Sequence, residues 1–400
     1  MTSSHDPVVI VSAARTPMGS FQGDFATLAA HDLGGAAIKA AVERAAAGSK
    51  FSADLVTEVL FGNCLMAGQG QAPARQAAFK GGLPKSAGAV TLSKMCGSGM
   101  RAAMFAHDIL ASGSQEVLIA GGMESMTNAP YLILKGRGGY RMGHDKIYDH
   151  MMLDGLEDAY EAGRSMGTFG EDCAAKYNFS RDAQDHFAMT SVERAKAATE
   201  SGAFAVEITP VTVKDRAGER VISIDEGPGK VKLDKVKSLK PAFKKDGTIT
   251  AASSSSINDG AAALVMMRES TAKKLGCTPL ARIASHATFA QEPEWFTTAP
   301  VGATQQALAR AGWKVSDVDL WEVNEAFAVV PMALMHELKV PHEIVNINGG
   351  ACALGHPIGA SGARIIVTLL HALKAKGLKK GLATLCIGGG EGTAMALELV

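Results

Sequence analysis

The sequence predicts an α/β fold made of two similar halves, and three observations carry that expectation. Short apolar strands alternate with amphipathic helical stretches through residues 8–125 and again through 276–400, a pattern that lays helices over sheets. The two ends also match. Gly97-Ser98-Gly99-Met100-Arg101 and Ala360-Ser361-Gly362-Ala363-Arg364 each open a helix followed by a strand and glycines, Gly121-Gly122 in one half and Gly388-Gly389-Gly390 in the other. A duplicated unit is the economical explanation. Finally, 44 glycines and few aromatic residues in 400 suit a compact α/β chain with many tight turns.

The elements follow in order. Val8–Ser12, Thr57–Phe61, Thr91–Ser93, Val117–Ala120, Leu320–Val323, Ile344–Ile347 and Leu382–Ile387 read as strands, being short apolar runs bounded by turn residues. Asp32–Ala47, Gly97–Ser112, Thr304–Gly312 and Gly359–Lys376 carry helical periodicity. The middle differs. Met142 to Met152 reads as irregular, Glu171–Glu200 as helical, and 230–245 holds seven lysines against one aspartate. Residues 126–245 therefore read as an insertion or lid over the core, a common home for binding residues. The expected division is 1–125 with 246–275 as a first half, 126–245 as the insertion, and 276–400 as a second half.

Composition excludes several classes. Forty basic and 40 acidic residues give zero formal charge, which argues against nucleic acid as the main partner, since phosphate binding needs a basic excess. The six cysteines at 64, 96, 173, 277, 352 and 386 include no C-x-x-C pair, so they read as reduced thiols of a cytoplasmic protein. No leader is expected before Val8-Val9-Ile10-Val11, and no apolar run is expected to approach the ~18 residues a membrane span needs.

The chemistry concentrates at two cysteines and a histidine. Cys96 lies where a strand gives way to Gly97-Ser98-Gly99 and a helix. A helix's positive end and a nearby base both favour thiolate, the nucleophilic form, and the glycines let backbone N–H groups approach a substrate carbonyl. A buried structural cysteine is the competing reading. His356, in Gly-His-Pro-Ile-Gly-Ala-Ser-Gly, is held by proline and glycines and suits a general base. Cys386 ends an apolar strand before three glycines, where amides can close round a substrate atom or where the thiol is merely buried. Asn324, after Leu320–Val323, offers an amide for a water or a carbonyl oxygen, or a helix cap. No set of cysteines with His356 has metal-ligand spacing, and Gly388–Gly392 lacks the Gly-Lys-Ser/Thr ending of a phosphate loop.

Taken together these segments resemble the thiolases, the acetyl-CoA acetyltransferases and 3-ketoacyl-CoA thiolases. The resemblance runs from Val11-Ser12-Ala13-Ala14-Arg15-Thr16-Pro17 through Gly68–Ala77, Lys94–Met100, Gly121–Met126, Asn258–Ala262, Asn324–Ala328, Asn348-Gly349-Gly350 and Gly355–Arg364 to Cys386–Gly390. It implies a five-layer α/β/α/β/α core of two halves with an inserted loop domain. It also implies that Cys96 carries the acyl group, His356 activates it, and Cys386 handles the proton of the acetyl methyl group. Asn324, through a water, with His356 would form one oxyanion site, and the amides of Cys96 and Gly388 the other. The implied reaction is a ping-pong Claisen condensation of two acetyl-CoA to acetoacetyl-CoA and CoA, or its reverse. CoA thioesters enter as substrates, with no tightly bound cofactor and no metal, and the family suggests a homodimer or homotetramer of lipid metabolism.

Some positions depart from the family pattern. Ser165-Met166-Gly167 stands where acetoacetyl-CoA-type thiolases have His-Met-Gly, which relaxes the expected chain length. Ser253–Ser256 keeps the pantetheine-side serine as Ser255 before the Asn258-Asp259-Gly260 turn, whereas the arginine that commonly stacks on adenine in the family aligns near Gly229-Lys230, so the nucleotide contact is altered. Phe296, before Ala299-Pro300-Val301, matches the acetoacetyl-CoA type. Leu156, Met166, Ala326 and Phe327 complete the expected acyl and pantetheine contacts. Lys230 and Lys235 are the candidates for the phosphates of CoA, although a solvated face explains such a run equally well. Two readings stay beside the leading one: a broader-chain 3-ketoacyl-CoA thiolase of fatty-acid β-oxidation, and a non-catalytic acyl-CoA or lipid carrier on the same scaffold. A ketoacyl synthase would pair its cysteine with two histidines.

Overall fold

Every residue of the first strand, β1 (Val8–Arg15), is buried. Because side chains alternate across a strand, its two faces enter different cores: Val9 and Val11 pack in one, Val8 and Ile10 in another. A strand buried on both faces needs helices on both sides. The computed structural model describes residues 6–216 and 218–400, and its main elements extend this arrangement. The first half continues with α1 (Ala30–Ala46), β2 (Glu58–Gly62), α2 (Pro73–Lys80), β3 (Gly88–Leu92), α3 (Ser98–Ser112) and β4 (Val117–Ser125). Then come α4 (Met166–Tyr177), α5 (Arg181–Glu200), β5 (Asn258–Arg268) and α6 (Glu269–Leu275). The second half holds β6 (Ala281–Ala290), α7 (Ala299–Ala311), β7 (Leu320–Val323), α8 (Val329–Leu338), α9 (Ile358–Lys376), β8 (Lys380–Ile387) and β9 (Glu391–Leu399).

The strands run in the order β7-β8-β9-β6-β1-β5-β4-β2-β3, with Gly19–Ser20 added beside β5. Each half repeats one plan. β2 lies parallel to β4, β4 antiparallel to β5, and β5 antiparallel to β1. Likewise β7 lies parallel to β8, β8 antiparallel to β9, and β9 antiparallel to β6. Even the register shift recurs, between Ile10 and Ser12 in one half and between Ile283 and Ser285 in the other. A bulge shared at equivalent positions marks the halves as copies of one unit.

The halves join where Val9 and Ile10 pair with Arg282 and Ala281, and five layers result. One outer core sets α1 and α2 against β2, β4 and β5. The middle core encloses α3 and α9 between both half-sheets. The other outer core sets α4, α7 and α8 on β7, β8 and β9. The 19 residues of α9 are long and apolar enough to cross a membrane, which a sequence reading missed. They are instead the buried central helix.

The sequence expectations differ from the structure in three places. Ile344–Ile347 is not a strand: a single 3-10 turn, His342–Ile344, leads to one bridge between Val345 and Trp321. Asn346 then turns away at φ +48°. The helical stretch Glu171–Glu200 is two helices, broken where Asn178 adopts φ +54°. Asn258-Asp259-Gly260 is not a turn but the opening of β5.

Glycine makes the central layer thin. A Cβ on Gly99 would lie 2.8 Å from the backbone nitrogen of Ala363, and one on Gly362 would lie 2.4 Å from that of Met100. We expect Gly362→Ala to destabilise the chain by ~2 kcal/mol or more through overpacking, read from the midpoint of urea unfolding; an unchanged midpoint would show that the two helices can part.

Candidate active site

Cys96 stands two residues ahead of α3, at a backbone corner. Met95 before it adopts φ +45°. The amide of Gly97 donates to Lys94 O at 3.0 Å and that of Ser98 to Met95 O at 3.0 Å. Ser98 closes the corner: its hydroxyl donates to Met95 O at 2.6 Å and accepts from the Lys94 amide at 2.8 Å. A Cβ at Gly97 would meet Ile387 Cδ1 at 2.4 Å, so glycine lets this corner lie against the end of β8.

His356 occupies the equivalent place ahead of α9. Gly355, at φ +95°, has room for no side chain, because a Cβ there would overlap the Asn258 amide at 1.9 Å. Pro357 caps the helix. The ring is fixed by one contact, His356 Nδ1 to Ser361 Oγ at 2.5 Å, while Ser361 Oγ donates to Pro357 O at 2.9 Å. With its hydrogen committed to Pro357, the serine accepts from Nδ1–H, which leaves Nε2 as the bare nitrogen. Nε2 is buried and has no hydrogen-bond partner among the described residues.

Cys96 and His356 line one cavity of about 330 Å³ together with Gly388 and Gly389. The Gly388 amide lies near enough to the Cys96 sulfur to favour its thiolate form. Gly389 and Gly390 take φ +94° and +89°, which lets the β8–β9 connection fold back and brings Gly388 into the lining beside Cys96. Cys386 is fully buried two residues before Gly388, close enough that its charge and that of Cys96 oppose one another. Asn324 follows β7, its amide bonded to Thr384 O at 3.0 Å. Both polar atoms of its side chain are buried without a partner among the described residues, and such an amide calls for water or substrate.

Electrostatically the site rests uncharged. Burial pushes the Cys96 thiol up to about 11, only partly offset by the Gly388 amide. The sequence reading expected the helix end to favour thiolate; desolvation outweighs it. Burial, reinforced by the Arg364 charge, holds His356 down at about 3. Cys386 is raised well above the usual thiol range by burial and then by Cys96.

The other expected contacts divide. Leu156, Met166, Ser255, Phe296, Ala326 and Phe327 all line the cavity. Ser165 caps α4 beside it, its carbonyl accepting from the Thr168 amide at 3.0 Å. Lys230 and Lys235 are exposed and outside the lining, and Lys230 is ion-paired with Glu226. The sequence reading did not single out Leu153 to Gly155, Glu157 to Tyr160 or Ile358, which complete the wall. It also passed over Ser361 and the fully buried Glu124. That carboxylate, raised to about 7 by burial, accepts from the amides of Cys64, Leu65 and Gly359 at 2.9, 3.1 and 3.0 Å. It thereby ties the start of α9 to the first half.

Fold and site define a duplicated α/β protein with a half-buried thiol and a buried imidazole at the heads of its two central helices. Residues 8–270 match the family described as "Thiolase, N-terminal domain" and residues 277–399 the one described as "Thiolase, C-terminal domain". The chain belongs to the thiolase family. It is 48% identical over 393 residues to the acetyl-CoA acetyltransferase of Cupriavidus necator, covering 98% of this chain and 99% of that one. It is 50% identical over 392 residues to the acetyl-CoA acetyltransferase of Escherichia coli, covering 98% of each. Among solved structures, acetyl-CoA acetyltransferase from Syntrophomonas wolfei superposes with a TM-score of 0.94 at 40% identity, over 99% of this chain and 100% of that one. The Acat5 thiolase from Ascaris suum in complex with coenzyme A gives 0.92 at 39%, over 98% and 100%.

A base held at about 3 stays neutral at working pH. In a histidine-labelled NMR titration the His356 ring should therefore show no protonation between pH 8 and about pH 4.5. A midpoint near 6.5, the unperturbed value, would overturn the desolvated site.

Proposed function

We propose that this chain is an acetyl-CoA C-acetyltransferase that joins two acetyl-CoA into acetoacetyl-CoA and CoA, or runs the reverse thiolysis, through an acyl-Cys96 intermediate. One observation carries the reading: a half-buried thiol and an imidazole whose Nε2 has no partner among the described residues line one cavity, together with Gly388, whose amide favours the thiolate. In the first half-reaction the Cys96 proton passes to His356 Nε2 as the sulfur attacks the thioester carbonyl. The bond to CoA breaks, and the departing thiolate takes the proton of Cys386. In the second, the Cys386 thiolate removes an α-proton from a second acetyl-CoA. The enolate attacks the acyl carbon, and Cys96 leaves, recovering its proton from His356. Every group returns to its starting state.

Two oxyanions develop, one on the acyl carbonyl and one on the enolate. The amides of Cys96 and Gly388 serve one; His356, with a water on Asn324, serves the other. Each such donor is typically worth about 3 kcal/mol in the transition state. The acyl and pantetheine walls are Leu156, Met166, Ser255, Phe296, Ala326 and Phe327, with Ser165 at their edge. Lys230 and Lys235 are assigned to the phosphates of CoA, Lys230 by exchanging its Glu226 partner. The reading includes no tightly bound cofactor.

A homodimer or homotetramer fits the uncovered edge strand β3 with its exposed Val90, and the exposed apolar residues Tyr131, Ile133, Leu134 and Ile147. A cytoplasmic setting fits six free cysteines. The division into two halves with an inserted segment at 126–245 belongs to the same proposal.

Incubation with radiolabelled acetyl-CoA followed by peptide mapping should place the label on Cys96, and Cys96→Ser should lower turnover by about 10³-fold or more. Label on another residue would sink the mechanism. Thiolysis of C4 to C12 3-ketoacyl-CoAs should peak at C4 if the acetyl reading holds; comparable kcat/KM at C8 to C12 would instead support the broader-chain reading that Ser165 permits.

A further inference from the structure

Away from that cavity, three side chains converge where the two halves abut. His107 and Asp108 lie near the end of α3, and His286 lies on β6. His107 Nδ1 is 3.1 Å from Asp108 Oδ1, His286 Nε2 is 3.0 Å from the same oxygen, and the two nitrogens are 3.1 Å apart. The rings meet edge to face with centroids 4.8 Å apart. Among the described residues this is the one group of three His, Cys, Asp or Glu side chains with ligand atoms so close.

Hydrogen bonds alone cannot serve this triangle. Each ring nitrogen carries at most one hydrogen, the carboxylate supplies none, and an N–H points along one line. Two hydrogens cover two sides at most, so the third pair is left in contact without one. A cation satisfies all three atoms at once. Ligands about 2.0–2.1 Å from one metal ion lie roughly 2.9–3.4 Å from each other in octahedral or tetrahedral geometry. The observed sides of 3.0 and 3.1 Å fall within that window.

We propose that His107, Asp108 and His286 form a binding site for one divalent first-row transition ion that clasps the end of α3 to β6. Two imidazoles and one carboxylate suit zinc, cobalt or nickel, whereas magnesium and calcium favour oxygen ligands. The Asp108 side chain is half exposed, so the remaining coordination positions open to water. Two arginines border the site. Arg310 donates to the His286 carbonyl at 2.7 Å and fixes the strand. Arg101 bonds Thr288 Oγ1 at 3.3 Å and stacks over Phe105, and its charge acts on His286 against the cation. The affinity is therefore moderate rather than extreme.

Zinc titration of the full chain by calorimetry tests this, with the catalytic thiols as the competing site. One equivalent should bind, raise the melting temperature, and persist in a Cys96→Ser/Cys386→Ser background. Asp108→Asn and His286→Gln should each weaken binding at least about tenfold. Asp108→Asn, at an exposed position, should leave turnover unchanged, which verifies folding. Cobalt bound there should lack thiolate charge-transfer absorbance. Binding unaffected by Asp108→Asn and His286→Gln, binding abolished by removing the thiols, or no binding at about 100 µM would each overturn the site.

Discussion

The site depends on the contact between the two central helices. Gly99 and Gly362 bring the backbones of α3 and α9 together, and Gly62 and Gly122 do the same for the head of α9: a Cβ on either would lie 2.7 or 2.0 Å from Gly359 O. Side chains cannot substitute for backbone at those distances. The consequence reaches beyond packing, because Cys96 precedes one helix and His356 the other. Their separation is therefore set by backbone against backbone, not by flexible side chains, which is the precision the proposed proton transfer between them requires.

That placement also sets the charge state. Both groups are desolvated, so each favours its neutral form, Cys96 up to about 11 and His356 down to about 3. A resting ion pair is unfavourable in such surroundings. On the proposed mechanism, proton transfer becomes favourable when negative charge can move on to a substrate carbonyl held by the Gly388 amide and its partners. The arrangement thus protects the thiol from oxidation at rest, since the thiolate is the susceptible form, and makes its nucleophilicity conditional on substrate.

How much of this was legible in the sequence varies by element. Leu320–Val323 is β7 to the residue, since a buried parallel strand reads as a plain apolar run. Ile344–Ile347 carries the same signal and fails, because Asn346 takes a left-handed conformation and places its amide on Val323 N and O, both at 2.8 Å. The side chain imitates a neighbouring strand. β5 was hidden because Asn258-Asp259-Gly260 is turn chemistry used in a strand: Asn258 Nδ2 donates to Gly19 O at 2.7 Å, and Gly260 lies against Met18. Cys96, His356 and Cys386 were legible because each sits among glycines that only close backbone approach explains. The wall from Leu153 to Tyr160 was not, being irregular backbone ordered by tertiary contacts. Nor was the triad of His107, Asp108 and His286, because His286 lies 178 residues from Asp108 in the chain and meets it only in the fold.

The same distance problem applies to the segment that walls the cavity, and a buried ionic cluster resolves it. Arg15, fully buried on β1, bonds Glu207 at 2.6 Å and grips Asp225 with two bonds of 2.6 and 2.8 Å. Asp225 also accepts from the Met18 amide at 2.7 Å, and the Arg15 backbone pairs with Glu207 and Thr209. Buried ions cost several kcal/mol each to desolvate, so such a cluster adds little net stability over an apolar replacement. What it adds is registry. An apolar patch would tolerate sliding by a residue, whereas a guanidinium held at Nε, Nη1 and Nη2 accepts one alignment. Glu207 further accepts from Thr368 on α9 at 3.2 Å. One carboxylate thus indexes the excursion to both the first strand and the helix whose head carries His356. A wall assembled from irregular backbone needs that indexing more than it needs added stability, because a shift of one residue would leave Cys96 intact and its cavity the wrong shape.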